Sequence, residues 1–191
     1  MNFGFVRPKN APRDIYISKK KTKGAKTGDL VAVKIYFWGD REKKPEGEVV
    51  SIIGNPQDTQ TLISALLIDN GIQEKFSSEV IKEVDRIEED FSEELENRKD
   101  LRHLNIVTID GADAKDLDDA VYVEKTDLGY KLYVSIADVS YYVKEGTELD
   151  TEALKRGNSI YLVDRVIPML PRKLSNNLCS LNPHEDKLTF T

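Results

Sequence analysis

Asn105-Ile106-Val107-Thr108-Ile109-Asp110-Gly111-Ala112-Asp113-Ala114-Lys115-Asp116-Leu117-Asp118-Asp119-Ala120-Val121-Tyr122-Val123 is the stretch on which the reading of the second half of the chain turns. Its two ends are apolar and β-branched and predict strands; its polar middle predicts the loop that joins them. Five carboxylates fall within residues 110–119, offset by Lys115 alone. Two carboxylates about 4 Å apart repel by roughly 4 kcal/mol at an effective dielectric near 20. Solvent, protons or a cation must compensate. All-oxygen donors favour a hard cation, and Mg²⁺ suits best where a substrate phosphate completes the shell. A calcium loop of the EF-hand type fails on spacing. Counted from Asp116, the fifth and sixth positions are Ala120 and Val121, where an oxygen ligand and a glycine are required; counted from Asp113, the third is Lys115. In extended backbone Asp116 and Asp118 share a face and Asp119 points the other way, while Asp110 returns from the preceding strand. Such a set can hold one or two ions that polarise a phosphate and deprotonate water. The plain alternative is an ordinary acidic turn.

Downstream, Ala120–Val123 and Tyr130–Ala137 read as strands about a turn at Gly129, the second largely apolar and expected to be buried. Asp150 or Thr151 can cap a helix over Glu152–Arg156 that Gly157 ends. Ser159–Val163 reads as a strand, and Pro171 opens a short helix toward Ser180. Leu188–Thr191 is again strand-like, so the chain reads as a cut domain. Upstream, Leu62, Ile63, Leu66 and Leu67 place a helix over 59–70. Ser77 or Ser78 caps another through Val80, Ile81, Val84 and Ile87, and Ser92–Leu101 reads as a third. Acidic residues dominate from Glu74 to Asp100, which fits a solvated connector.

Residues 1–54 carry four short strands, Phe3–Val6, Asp14–Ile17, Leu30–Tyr36 and Gly47–Ile53, separated by Gly, Pro and charged clusters. This suggests a small barrel of the oligonucleotide-binding (OB) type, one strand short of about five. Phe3, Phe5 and Tyr16 alternate amid Arg7, Lys9, Lys19 and Lys20. Exposed aromatics that stack on bases, with basic residues following the backbone, are how such barrels take single strands; burial of one or two of the rings as plain core is the alternative.

The 191 residues suit one domain or two small ones, and 39% hydrophobic composition allows a core. One cysteine, Cys179, excludes an internal disulfide and a cysteine-based metal cluster. His103 and His184 lie too far apart in sequence to suggest zinc. No apolar run approaches the roughly 18 residues of a membrane span, and no secretory signal opens the chain, so a cytoplasmic protein is expected. The formal charge of −6 conceals a basic block from Arg7 to Lys34, and phosphate contact depends on local charge. Read singly, Tyr161 fits a core strand tyrosine, Asp138 a turn cap, Cys179 a buried thiol and His103 a surface residue. There are no repeats and no low-complexity tract.

Val107 to Ala120 resembles the catalytic signature of the ribonuclease II/ribonuclease R family. So do Ser135-Ile136-Ala137-Asp138-Val139-Ser140-Tyr141-Tyr142-Val143, Val166-Ile167-Pro168-Met169-Leu170-Pro171 and Leu174-Ser175-Asn176-Asn177-Leu178-Cys179-Ser180-Leu181-Asn182-Pro183, in the family's order. Phe3-Gly4-Phe5-Val6, Asp14-Ile15-Tyr16-Ile17 and Gly24-Ala25 resemble its second cold-shock domain. The resemblance implies an α+β chain in three parts. These are a cold-shock OB domain over 1–54, an acidic helical linker over 55–103, and over 104–191 the truncated start of a mixed α/β RNB catalytic domain.

It also implies a Mg²⁺-dependent hydrolase that degrades single-stranded RNA processively from the 3′ end, releasing nucleoside 5′-monophosphates. Asp110, Asp116, Asp118 and Asp119 match the acidic active-site set and its Mg²⁺ ligands, Asp118 the aspartate essential for cleavage. Tyr161 matches a tyrosine packed on the 3′-terminal nucleotide that sets the final product size; Asp113 matches no assigned role. Phe3, Phe5, Tyr16, Arg7, Lys9, Lys19 and Lys20 are the expected RNA contacts. The expected partners are the 3′ end of single-stranded RNA, with the ribosome or the RNA-decay machinery beside it, for a monomer without membrane attachment. A first cold-shock domain is expected before Met1; a catalytic arginine, the rest of the channel and a C-terminal RNA-binding domain are expected beyond Thr191. An RNA-binding piece without hydrolysis is therefore the second expectation, and a non-catalytic relative with a structural Asp loop the third.

Overall fold

The computed structural model describes residues 3–9 and 11–191. The chain divides into two compact units, 1–74 and 75–191.

In the first unit, β1 (Phe3–Val6), β2 (Ile15–Ser18), β3 (Leu30–Phe37) and β4 (Glu46–Gly54) form one sheet in the order β1-β2-β4-β3. The four expected strands form, each within a residue or so of its expected bounds. Alternation divides the faces: Ile15, Ile17 and Val49 are buried, with Val6, Val31, Val33 and Ile35 packed against them, while Tyr16 points to the other side. β2 runs parallel to β4 and pairs Tyr16 with Glu46 and Ile17 with Gly47. Gly47 is required there, because a Cβ would lie 2.7 Å from Val33 Cγ1 and 2.9 Å from the Lys34 carbonyl oxygen. Helix α1 (Thr59–Asp69) follows; the Asp58 side chain caps it by accepting from the Gln60 and Thr61 amides.

The second unit contains α2 (Ser78–Asp85), α3 (Ser92–Leu95), β5 (Asp119–Thr126), β6 (Gly129–Ala137), α4 (Val139–Tyr142), α5 (Glu148–Arg156), β7 (Ile160–Tyr161), β8 (Val166–Ile167) and β9 (Thr189–Phe190). β5, β6 and β9 make one antiparallel sheet and β7 pairs with β8. The core gathers Val80 and Val84 of α2, Ala120 of β5, Ala137 of β6, Leu149 of α5, and Leu174, Leu178 and Cys179. Of the stretch 55–103, α1 therefore belongs to the first unit, and α2 contributes buried core to the second.

Several local expectations are corrected. No strand covers Asn105–Ile109. Tight turns, in which the Leu104 amide donates to Leu101 and the Ile106 amide to Leu104, leave only an isolated bridge between Val107 and Val121. α3 stops at Leu95. α5 starts at Glu148, because Thr147 caps it by accepting from the Asp150 amide and Asp150 itself accepts from Gly146. β7 is cut to two residues by the turn in which the Leu162 amide donates to Arg165. Residues Leu174–Leu178 form a widened helical turn, the Cys179 amide donating to the Leu174 carbonyl. β6 is buried on one face only. Ser135 and Ala137 point into the core, whereas Leu132, Val134 and Ile136 are 61%, 41% and 46% exposed.

Candidate acidic site and nucleic-acid face

The acidic site is built where the Asp loop enters β5. Ala137 donates its amide to the Asp118 carbonyl at 2.9 Å, and Leu181 donates to the Leu117 carbonyl at 2.9 Å. Asp119 is the first residue of β5 and pairs with Ile136 on the open side of the sheet, while Ala120 pairs with buried Ser135. Alternation thus sends the neighbouring carboxylates Asp118 and Asp119 to different sides. The Tyr161 hydroxyl, on β7, donates to Asp116 Oδ2 at 3.1 Å.

These groups form one electrostatic set. Partial burial, followed by the charges of Asp116, Asp119 and Asp110, pushes the Asp118 carboxyl above its ordinary range. The hydrogen bond to Asp116, with the charges of Asp116 and Asp118, raises the Tyr161 hydroxyl as well. Asp113 is not among the groups acting on either. The donors are carboxylate oxygens throughout, which in chemistry fits a hard divalent cation. In geometry, no three acidic, histidine or cysteine side chains converge on one ligation point among the described residues.

The first unit carries a separate face. Phe3, Phe5 and Tyr16 form a triangle with ring centroids 5.6, 5.8 and 5.9 Å apart, and Phe3 and Phe5 are half exposed. They share the face opposite Ile15 and Ile17 because Phe5 pairs with Tyr16 and Phe3 with Ser18. Lys19 and Lys20 lie exposed in a single 3₁₀ turn directly after β2. Arg7 sits 3.4 Å from Asp14 on the surface, and Lys9 is exposed.

Sequence reasoning missed other members of this face. Lys44 Nζ lies 4.6 Å above the Phe5 ring, Lys21 Nζ 3.6 Å from the Tyr36 ring, and the Tyr36 hydroxyl donates to Glu46 Oε2 at 3.4 Å. Trp38 is 74% exposed in the loop after β3. Alternation along Leu30–Phe37 could have placed Tyr36 outward, but not beside Lys21.

The remaining singled-out residues take plain roles. Cys179 is buried, and burial pushes its thiol up to about 12, so it carries no thiolate at neutral pH. His103 is exposed. Asp138 caps α4, and Arg98 Nη2 donates to its Oδ2 at 2.6 Å. Burial alone would raise Asp138; the hydrogen bonds from Ser140 and Arg98 hold it below its ordinary range. Arg98 was not singled out from sequence.

The RNB domain family matches residues 98–191 and the cold shock domain family residues 5–77. Ribonuclease R of Aquifex aeolicus is 46% identical over 184 residues, covering 95% of this chain and 26% of the relative. Ribonuclease R of Thermotoga maritima is 45% identical, covering 99% of this chain and 28% of the relative. The structure of Mycoplasma genitalium ribonuclease R in complex with ribose-methylated single-stranded RNA superposes with a TM-score of 0.84 at 31% identity, covering 98% of this chain and 32% of that one. The chain thus spans roughly a quarter to a third of the length of these relatives.

A cold-shock domain joined in one chain to RNB-domain sequence defines the class of protein. RNB-domain and cold-shock-domain sequence together span most of the chain, which belongs to the RNB family.

Among the described residues, no helix is long and apolar enough to cross a membrane.

Proposed function

We propose that this chain supplies the acidic site and one RNA-binding face of a 3′-to-5′ exoribonuclease that hydrolyses single-stranded RNA processively to nucleoside 5′-monophosphates in the cytoplasm. One observation carries the reading: Asp110, Asp116 and Asp119 act together on a partly desolvated Asp118, with Tyr161 hydrogen-bonded to the set, inside the RNB-matched segment. Bound Mg²⁺ would supply Lewis-acid polarisation of the scissile phosphate and an activated water. Asp110, Asp116, Asp118 and Asp119 would supply its carboxylate oxygens, Asp118 being the one essential for cleavage. Tyr161 packs on the 3′-terminal nucleotide and limits how short the product becomes, a role its exposure and its bond to Asp116 support. Residues 1–54 bind the strand: Phe3, Phe5 and Tyr16 stack on bases, while Arg7, Lys9, Lys19 and Lys20 follow the phosphates. Residues 55–103 connect this domain to the acidic site.

The test exchanges this chain for the matching segment of Aquifex aeolicus ribonuclease R and follows 5′-labelled single-stranded RNA with Mg²⁺ over time. The exchanged enzyme is expected to yield mononucleotides and a short limit product. Asp118→Asn in the same background is expected to abolish hydrolysis while RNA remains bound; persistent hydrolysis by that variant overturns the reading.

A second reading is favoured by the share of the relatives that the chain spans: on its own it is an RNA-binding segment without hydrolysis. It predicts that the chain binds an oligonucleotide without cutting it, and that Phe5→Ala weakens binding by about 1–3 kcal/mol, the range for removal of one base stack.

A further inference from the structure

Ser180 is fully buried, yet it is polar and lies among Leu178, Cys179 and Leu181. A serine hydroxyl carries one proton and two lone pairs, and this one uses both kinds of capacity on the Asp loop. Ser180 Oγ accepts from the Leu117 amide at 3.0 Å and donates to the Lys115 carbonyl at 3.0 Å, with Asn182 Oδ1 at 3.1 Å as an alternative acceptor. Those two backbone groups belong to the two peptide units that flank Asp116. The next peptide unit is held by the Leu181 amide on the Leu117 carbonyl, and the one after by the Ala137 amide on the Asp118 carbonyl. Four consecutive peptide units across Asp116, Leu117 and Asp118 are therefore tied to the core. Upstream, the backbone bond from Ala114 to Gly111 closes only the loop's own turn.

The tethering coincides with the repulsion. Asp116 and Asp118 are like charges two residues apart on the tethered segment, so an untethered loop would relax by moving the two carboxylates apart. We propose that Ser180 is a positioning residue of the acidic site: its hydroxyl clamps the backbone on both sides of Asp116 and so fixes the separation of Asp116 and Asp118. This rests on the reading of those aspartates as the acidic site of the preceding section, and it adds a residue outside that set.

The experiment uses the whole chain with Mn²⁺ alone as probe, its binding read by the loss of the free-ion paramagnetic signal. Amide hydrogen exchange is read at Leu117 and, for reference, at Ala153 in α5. Ser180→Ala is compared with Val84→Ala, which removes buried volume from the same core but no hydrogen-bonding group. The expected result is an approximately tenfold weaker Mn²⁺ dissociation constant for Ser180→Ala, as for supporting contacts around metal sites generally. Leu117 exchange should also accelerate relative to Ala153, and Val84→Ala should show neither change at a comparable loss of melting temperature. Equal behaviour of the two variants overturns the proposal. If the unaltered chain binds no Mn²⁺, the metal reading fails, and the exchange ratio alone decides: a faster Leu117 in Ser180→Ala supports the clamp and an unchanged ratio overturns it.

Discussion

Asp118 holds its proton more tightly than a free aspartate, because burial and three neighbouring carboxylates disfavour its charge. A raised carboxyl contributes stability below its unfolded value, ordinarily 3.8, and loses it as the pH climbs through the folded value. At neutral pH the ionised group is therefore a burden on the fold, and its removal relieves it. Asp118→Asn is expected to melt higher than the unaltered chain at pH 7 in a chelator, and the difference should vanish as the pH falls below 3.8. Adding Mg²⁺ should reverse the order, since an ion bound by the folded state stabilises the chain that binds it better. Thermal melts at two pH values, with and without the ion, check all three statements. A higher melting point together with abolished hydrolysis would mark Asp118 as a residue kept for chemistry at the expense of stability.

At the scale of elements, the pair of Arg98 and Asp138 joins the segment after α3 to the cap of α4. Arg98 also donates to Glu94 at 2.9 Å and to the Thr189 carbonyl of β9. Asp138→Asn leaves Arg98 with Glu94 as its remaining charge partner and is expected to cost about 2 kcal/mol in a denaturant titration, as for loss of a hydrogen bond between charged groups. Asp138 is depressed, so its contribution is present above its ordinary 3.8 and fades as the pH falls through its lower folded value, the opposite sign to Asp118.

The elements also show what could be read in advance. β1 to β4 were legible because each carries its own alternation and stops, and the Asp loop because its charge density is local; α1 forms where Leu62, Ile63, Leu66 and Leu67 place it, yet Leu62 and Leu66 are exposed and Thr61, Ala65 and Leu67 are its buried residues. The Ser180 hydrogen bond to Leu117 joins residues sixty-three apart, and no local pattern announces which buried hydroxyl will meet which amide. β6 misled for a related reason. It is apolar at successive positions, and periodicity cannot say which of two apolar faces is covered.

At the scale of the whole molecule, charge is segregated. Residues 1–74 hold twelve Lys and Arg against nine Asp and Glu, a net +3, while residues 75–191 hold sixteen against twenty-five, a net −9. A polyanion should therefore be gathered by the first unit. Lys19→Ala with Lys20→Ala is expected to flatten the dependence of log affinity on log salt by about 0.7 for each phosphate no longer neutralised, with a similar weakening for every oligonucleotide sequence. Anisotropy titrations across a salt series read the slope directly. The open side of the β5-β6-β9 sheet acts at this scale too. Val123, Leu132, Val134, Ile136 and Phe190 together present a continuous greasy strip to water. Handled alone, the chain should light up a solvatochromic dye such as anilinonaphthalene sulfonate and sediment faster as it is concentrated. Leu132→Lys, placed in the middle of that strip, should quench the dye signal and restore ideal sedimentation without disturbing the buried side of the sheet.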